Sequence, residues 1–150
     1  MSSRFGLEIR AAHAGDASGL IELMVSCGYP APPVPQMGAR LEVLRHRPGA
    51  TLLALEWGPP SGLIALHWYD SFDAPTPTAQ ITSLLVAPDA RRRGIGRALL
   101  KSASQAARQA GCSALHLLSQ PQDVALEGFT RATGFNKAGV AWSRPLRRKT

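Results

Sequence analysis

The feature that most constrains this chain is a change of hydrophobic period near residue 94. Residues 78–86 form an apolar run of strand length stopped by Pro88, whereas from Gly94 onward Ile95, Ala98, Leu99, Ser102, Ala106 and Ala110 recur at helical spacing. Arg97, Lys101, Gln105, Arg108 and Gln109 occupy the opposite helix face, and Gly111 supplies the stop. A strand must therefore pass into an amphipathic helix through the short turn Ala87–Arg93. That helix has to lay its apolar stripe on a sheet, which points to an α/β or α+β domain.

The remaining elements are expected around this unit. Phe5 to Ala12 alternates loosely and reads as a first strand. A helix follows, with Asp16 available to cap it, Leu20, Leu23 and Met24 on its apolar stripe, and Gly28 at its end. Four prolines between Tyr29 and Pro35 impose a stiff extended loop before a short helix over Pro35 to His46. Thr51 to Trp57 and Gly62 to Tyr69 flank the turn cluster Gly58-Pro59-Pro60-Ser61 and read as an antiparallel hairpin. After the helix at Gly94 come a strand at Ser113 to Leu118, a helix from Asp123 to Thr133 closed by Gly134, and a last strand from Phe135 to Trp142. The order is β-α-α-β-β-β-α-β-α-β. No linker long enough to divide the chain is evident, so residues 1–150 are expected to form one α/β or α+β domain with a mixed sheet.

Composition enters as a set of exclusions. With 45% hydrophobic and 18% charged residues, 150 residues can build one core without a structural metal or disulfides. Cys27 and Cys112 stand alone with no metal-ligand spacing, which argues for a reducing, cytoplasmic setting and no metal site. No export-type leader and no membrane-span run is expected. The net charge of +7 is clustered, with Arg91, Arg92, Arg93 and Arg97 around one turn and Arg144, Arg147, Arg148 and Lys149 near the C-terminus. The first cluster suits a polyanionic ligand. No finger, recognition-helix or RNA-binding signature accompanies the charge, so nucleic acid is not the expected partner, and a basic nucleic-acid-associated module is kept as an alternative.

The turn itself favours phosphate. A helix N-terminus presents unpaired backbone N–H groups and the positive end of the helix dipole, Gly94 and Gly96 allow close approach, and guanidinium groups add forked, charge-assisted contacts. A P-loop is excluded because Leu100, not glycine, precedes Lys101-Ser102. A dinucleotide fingerprint is excluded because Leu99 stands where its third glycine would be. What survives is Arg91-x-x-Gly94-x-Gly96.

With that motif the chain resembles the GNAT superfamily of N-acetyltransferases, and the resemblance implies a mixed, mostly antiparallel central sheet flanked by helices. The likeness extends to Ile9-Arg10-Ala11-Ala12 with Asp16, to the strand end Val86-x-Pro88, and to Phe129-x-x-x-x-Gly134-Phe135. The resemblance implies acetyl-CoA as cofactor, its pyrophosphate held by backbone amides of Arg92, Arg93, Gly94, Ile95, Gly96 and Arg97, with Arg91 and Ala98 at the borders. It implies that Leu84, Leu85 and Val86 run beside the pantetheine arm like an added strand, and that the sheet splays between the strands at 78–86 and 113–118 to admit it. An N–H of Leu84 or Leu85 would meet the thioester oxyanion, with Leu85 taken as the catalytic amide. Phe129 and Asp123 would lie near the arm, Asp123 standing where the family commonly has Asn. Thr130 occupies the position at which the family commonly has a Tyr acid. Dimerisation through the sheet is common in the family, so a homodimer is expected.

The activity implied is direct acetyl transfer to a primary amine of a small molecule or peptide, and the competing reading is an acyl-CoA binder with little turnover. An alkyl ammonium, with a pKa of about 10.4, must lose a proton to react at neutral pH. Glu22, His67, Asp70 and Asp73 are base candidates, with Gln80 in the strand region where some resembling enzymes place a Glu. His67 and His116 are more often packed or half-exposed strand residues than catalysts, Cys112 more often a small buried residue than a nucleophile, and Trp57, Trp68 and Trp142 core or dimer-interface residues. Tyr29 beside the proline-rich loop is the better candidate for touching an acceptor.

Overall fold

A computed structural model describes residues 6–118 and 124–147. The chain divides into two compact units, Met1–Leu117 and Leu118–Thr150. The first holds strands β1 (Glu8–Ala11), β2 (Gly49–Leu55), β3 (Gly62–Tyr69), β4 (Thr78–Val86) and β5 (Ala114–Leu117), with helices α1 (Ala17–Ser26), α2 (Val34–Arg45) and α3 (Ile95–Gln109). The second holds α4 (Val124–Ala132). The five strands form one sheet in chain order, antiparallel from β1 to β4 and parallel between β4 and β5. This is the mixed, mostly antiparallel sheet flanked by helices that the resemblance implies.

Two layers of helix cover the sheet. On one face α1 and α2 pack through Ala17, Leu20, Leu23, Met37 and Leu41 against Leu53, with Leu63, Leu85 and Ala87 at the margin. On the other face α3 lies chiefly on β3 and β2, burying Ile95, Leu99, Ala103 and Ala107 at a spacing of four. The buried line is thus centred one position away from the Ala98–Ser102–Ala106 row, whose members are half-buried. The small side chains of Ala103 and Ala107 let the helix approach β3 and β2 closely. At Gly62 of β3 the approach is at its limit, because an added Cβ would stand 3.0 Å from Leu99 Cδ1 and 3.1 Å from Ile95 Cγ2. The first turn of α3 is therefore pinned on the sheet.

Asp16 has a different task from the one expected. It precedes α1 but makes no side-chain cap bond to it. Its carboxylate instead accepts two hydrogen bonds from Arg10, at 2.8 and 2.9 Å, and one from the His13 amide at 2.9 Å, closing a capping box around a short 3-10 turn. The forked geometry ties β1 to the start of α1. Hydrogen bonding from Arg10 holds the Asp16 carboxyl below the usual carboxylate range, against an opposing effect of burial.

The last expected strand is a correction. Phe135 to Trp142 forms no strand among the described residues, and Val140, Trp142 and Leu146 are exposed. Gly139, at φ 109°, breaks the extended run that Val140 and Trp142 would need for a ladder. Trp57 and Trp142 are 90% and 91% exposed, so neither is a core residue, whereas Trp68 is half-buried in β3. Phe5, at the start of the expected first strand, and Arg148 and Lys149 of the basic tail lie outside the described residues. Among the described residues no helix is long and apolar enough to cross a membrane.

Replacing Asp16 by Asn should lower stability at neutral pH by about 2 kcal/mol, the scale of charge-assisted bonds lost by a shielded partner. Because the folded-state pKa is depressed, the wild-type advantage is complete above the unfolded carboxylate value near pH 4 and is lost as pH falls through the folded value. Urea unfolding of both proteins at pH 7 and pH 3 checks this. The gap between them should narrow at pH 3, and a constant gap would contradict the role given to the carboxylate.

Candidate cofactor site

The site begins with an irregularity in β4. Ala65 pairs with Ser83 while Leu66 pairs with Ile81, so Thr82 is an extra residue, a bulge whose hydroxyl lies 3.5 Å from the Ala65 carbonyl. The bulge lets Ala79, Ile81, Leu84 and Val86 share one face of β4, although 81 and 84 differ by three. It also coincides with the end of pairing on the opposite edge. β5 pairs with β4 only from Thr78 to Ile81, and beyond that point no described strand covers that edge.

Strand alternation decides which groups face the uncovered edge. The Ala87 amide donates to the Ser61 carbonyl at 2.8 Å, just beyond the Gly62–Val86 pair, so the Ala87 N–H is turned toward β3. Leu85 opposite Leu63 then also turns its backbone groups toward β3, and Leu84 and Val86 turn theirs away. The Val86 carbonyl agrees, accepting from Arg91 Nε at 3.1 Å and from the Cys27 thiol at 3.5 Å. Of the two amides considered for an oxyanion, Leu84's points to the open edge, while the Leu85 amide is directed into the ladder.

From Val86 the chain passes through a 3-10 turn, Pro88–Ala90, into the arginine segment. Arg92 adopts φ 67° and Gly94 φ 82°, two left-handed residues separated by Arg93. For Arg92 that conformation costs about 1–2 kcal/mol, whereas Gly94 adopts it freely. Gly94 is the N-cap of α3 without a side-chain cap bond, and the first helical bond runs from the Ala98 amide to the Gly94 carbonyl at 3.0 Å. The amides of Ile95, Gly96 and Arg97 are consequently left without intrahelical acceptors. A Cβ on Gly94 would meet nothing within 4 Å, so the protein leaves open the space beside this turn.

The four arginines are not equivalent. Arg91 is tied to Val86, and Arg93 donates through Nη2 to Glu56 Oε1 at 2.8 Å. Arg92 and Arg97 are exposed and make no hydrogen bond or ion pair to protein among the described residues. Unpaired amides at the positive end of a fifteen-residue helix, two uncommitted guanidinium groups and open space fit a diphosphate well. Such a ligand would continue alongside the uncovered edge at Leu84 and Val86.

Among the described residues, fold and site together present a stretch of strand edge with no strand beside it that leads to unpaired amides at a helix start. The family model described as "Acetyltransferase (GNAT) family" matches residues 18–135. The chain belongs to the GNAT acetyltransferase family and is an N-acetyltransferase that uses acetyl-CoA. Among solved structures it is similar to an acetyltransferase of Agrobacterium tumefaciens designated putative, at 29% identity and TM-score 0.78 over 91% of this chain and 99% of that one. It is similar in fold to glucosamine-6-phosphate N-acetyltransferase from Arabidopsis thaliana, at 16% identity and TM-score 0.81 over 93% and 99%. It is likewise similar in fold to an aminoglycoside N-acetyltransferase solved in complex with CoA, at 18% identity and TM-score 0.79 over 94% and 95%. No curated protein sequence matches the chain.

Phe129 and Thr130 lie half-buried on α4 in the second unit, and Asp123 lies outside the described residues. The Thr130 hydroxyl donates to the Glu127 carbonyl at 2.8 Å. Glu22, Asp70 and Asp73 are exposed, and His67 is half-buried in β3 directly opposite Gln80 of β4. Cys112 is half-buried, and burial with a lesser contribution from the Asp70 charge pushes its thiol up, away from a reactive thiolate. Tyr29 is exposed after α1. Glu56 was not among the expected site residues. Its only sequence signal is its position at the end of a strand before a turn, which is an ordinary place for a charged residue.

The left-handed turn yields a stability test. Gly94→Ala should cost about 1–2 kcal/mol through the φ alone, and Gly94→Asn should cost less because Asn tolerates this region better. Denaturant midpoints should rank Gly above Asn above Ala. An alanine variant as stable as wild type would mean that the turn does not hold this conformation in solution.

Proposed function

We propose that this protein transfers the acetyl group of acetyl-CoA directly to a primary amine of a small molecule or peptide within a ternary complex. The observation that carries this reading is the continuity of one track: unpaired amides at the start of α3, then the open edge of β4 with the Leu84 amide turned outward. Bound there, acetyl-CoA supplies an activated thioester. Ile95, Gly96 and Arg97 hold its diphosphate by backbone N–H groups, with Arg92 and Arg97 adding charge. The Leu84 carbonyl and the Val86 amide would pair with an extended amide-bearing arm, and the Leu84 amide would be the donor to a thioester oxygen that gains negative charge. On this reading Leu84, rather than Leu85, supplies the amide that meets the oxyanion.

The reading treats residues 1–150 as a single acyltransferase domain, because the family match runs through both compact units. It places the protein in the cytoplasm, where acetyl-CoA is available and the free thiols of Cys27 and Cys112 stay reduced. It takes the protein as a homodimer, for which the exposed Val140, Trp142 and Leu146 offer apolar surface. Amine acceptors are in keeping with the aminoglycoside and glucosamine-6-phosphate enzymes that share the fold.

One observation favours a second reading, an acyl-CoA binder with slow turnover. The proton of the Thr130 hydroxyl is committed to the Glu127 carbonyl, so it is badly placed to protonate a departing thiolate. Two measurements separate the readings. Calorimetric titration with acetyl-CoA should give binding that weakens at least tenfold in Gly96→Asp, which sets a carboxylate among the first-turn amides. Thiol release with a panel of primary amines should then be stimulated by some acceptors. Absence of heat, or unchanged affinity in the variant, would overturn the cofactor site; binding with no stimulated release would leave the binder.

A further inference from the structure

The arginine turn is strained and exposed, yet its amides must point the same way to receive a ligand. Arg92 is a non-glycine residue at φ 67°, and such a conformation persists only where neighbouring structure over-determines it. The β2–β3 turn supplies that structure. Ser61, buried beside β3, accepts the Ala87 amide at 2.8 Å and so fixes the point where the arginine segment begins. The Ser61 hydroxyl donates to Glu56 Oε1 at 2.9 Å, and the same oxygen accepts Arg93 Nη2 at 2.8 Å, fixing the point where the segment ends. Glu56 keeps a side-chain exposure of 23% against 52% for Arg93, so the carboxylate is the better-shielded member of the pair. One short turn thus grips residues 87–93 at both ends, while Ile95 beyond them is buried.

We infer that Glu56 is a positioning residue for the diphosphate, acting through Arg93, and that the Arg93 guanidinium is a tether to the hairpin rather than a phosphate ligand. The inference rests on the acetyl-CoA reading of the site and adds a residue to it. A carboxylate this close to a diphosphate site would, as a bare charge, weaken anion binding. Its engagement by Ser61 and Arg93 together neutralises it and turns it into a brace. The direct guanidinium contacts are then left to Arg92 and Arg97, which have no protein partner among the described residues.

The sign of the effect distinguishes brace from bare charge. Titration calorimetry with CoA should give a Kd about fivefold to tenfold higher for Glu56→Ala, because the left-handed turn loses its anchor. Arg93→Ala should match it, and the double variant should be no weaker than either single one, since both remove the same link. Glu56→Gln, which keeps an acceptor oxygen for Arg93 and Ser61, should stay within about threefold of wild type. Urea midpoints of every variant report folding separately, and Glu56→Gln with Arg93→Ala carries the test if Glu56→Ala is poorly folded. Tighter or unchanged binding by Glu56→Ala, or additive losses in the double variant, would overturn the inference. Wild-type protein that binds no CoA would instead sink the acetyl-CoA reading on which it rests.

Discussion

Among the described residues, a stretch of the β4 edge with no strand beside it organises the candidate site of this molecule. Among the described residues β4 has strand partners on both sides from Thr78 to Ile81 and β3 alone as strand partner from Ser83 to Val86. Backbone N–H and C=O groups are strong hydrogen-bonding groups that a sheet interior always satisfies. An edge left open in the middle of a sheet is therefore available to a ligand that can imitate a strand. The bulge contributes twice. It keeps Leu84 and Val86 on the same face as Ile81, and with the Ala87–Ser61 hydrogen bond it sets which amides face outward.

The strand also delivers the chain into the start of α3, and the two features depend on each other. Ile95 and Leu99 pack against Gly62 so closely that the first helical turn cannot slide along the sheet. The distance between the open edge and the unpaired helix amides is thereby fixed by core packing. Between them lies the strained segment at Arg92, held by hydrogen bonds to Val86 on one side and Glu56 on the other. Burial of apolar side chains thus positions a polar cradle that local propensity alone would not form.

Much of this was legible in the sequence, and what was not has identifiable causes. The switch from strand to helix at Gly94, the hairpin around Pro59-Pro60, and the glycine stops at Gly28 and Gly111 follow from period and turn chemistry, and the structure carries them. The family resemblance rested on Arg91-x-x-Gly94-x-Gly96, and the family match over residues 18–135 agrees with it. The choice between Leu84 and Leu85 could not be read from the chain, because it depends on a one-residue bulge with no strong local signature. Asp16 looked like a helix cap and serves as an ion-pair hub, since Arg10 competes for its oxygens from a neighbouring strand. The strand expected at Phe135 to Trp142 failed because a run with Gly139 inside it needs a partner ladder that no sequence pattern specifies. Glu56 escaped notice because its meaning lies in a contact with Arg93, 37 positions away.

The central claim is that a CoA diphosphate is received by main-chain amides at the start of α3 and the arm by the open edge of β4. Residue-resolved NMR of the 15N-labelled protein during titration with CoA tests it directly. The account predicts that the largest amide shifts fall on Ile95, Gly96, Arg97 and Leu84, with Leu85 and the α3 residues beyond Leu99 changing little. Shifts confined to other surfaces, with these four amides unmoved at saturation, would contradict it.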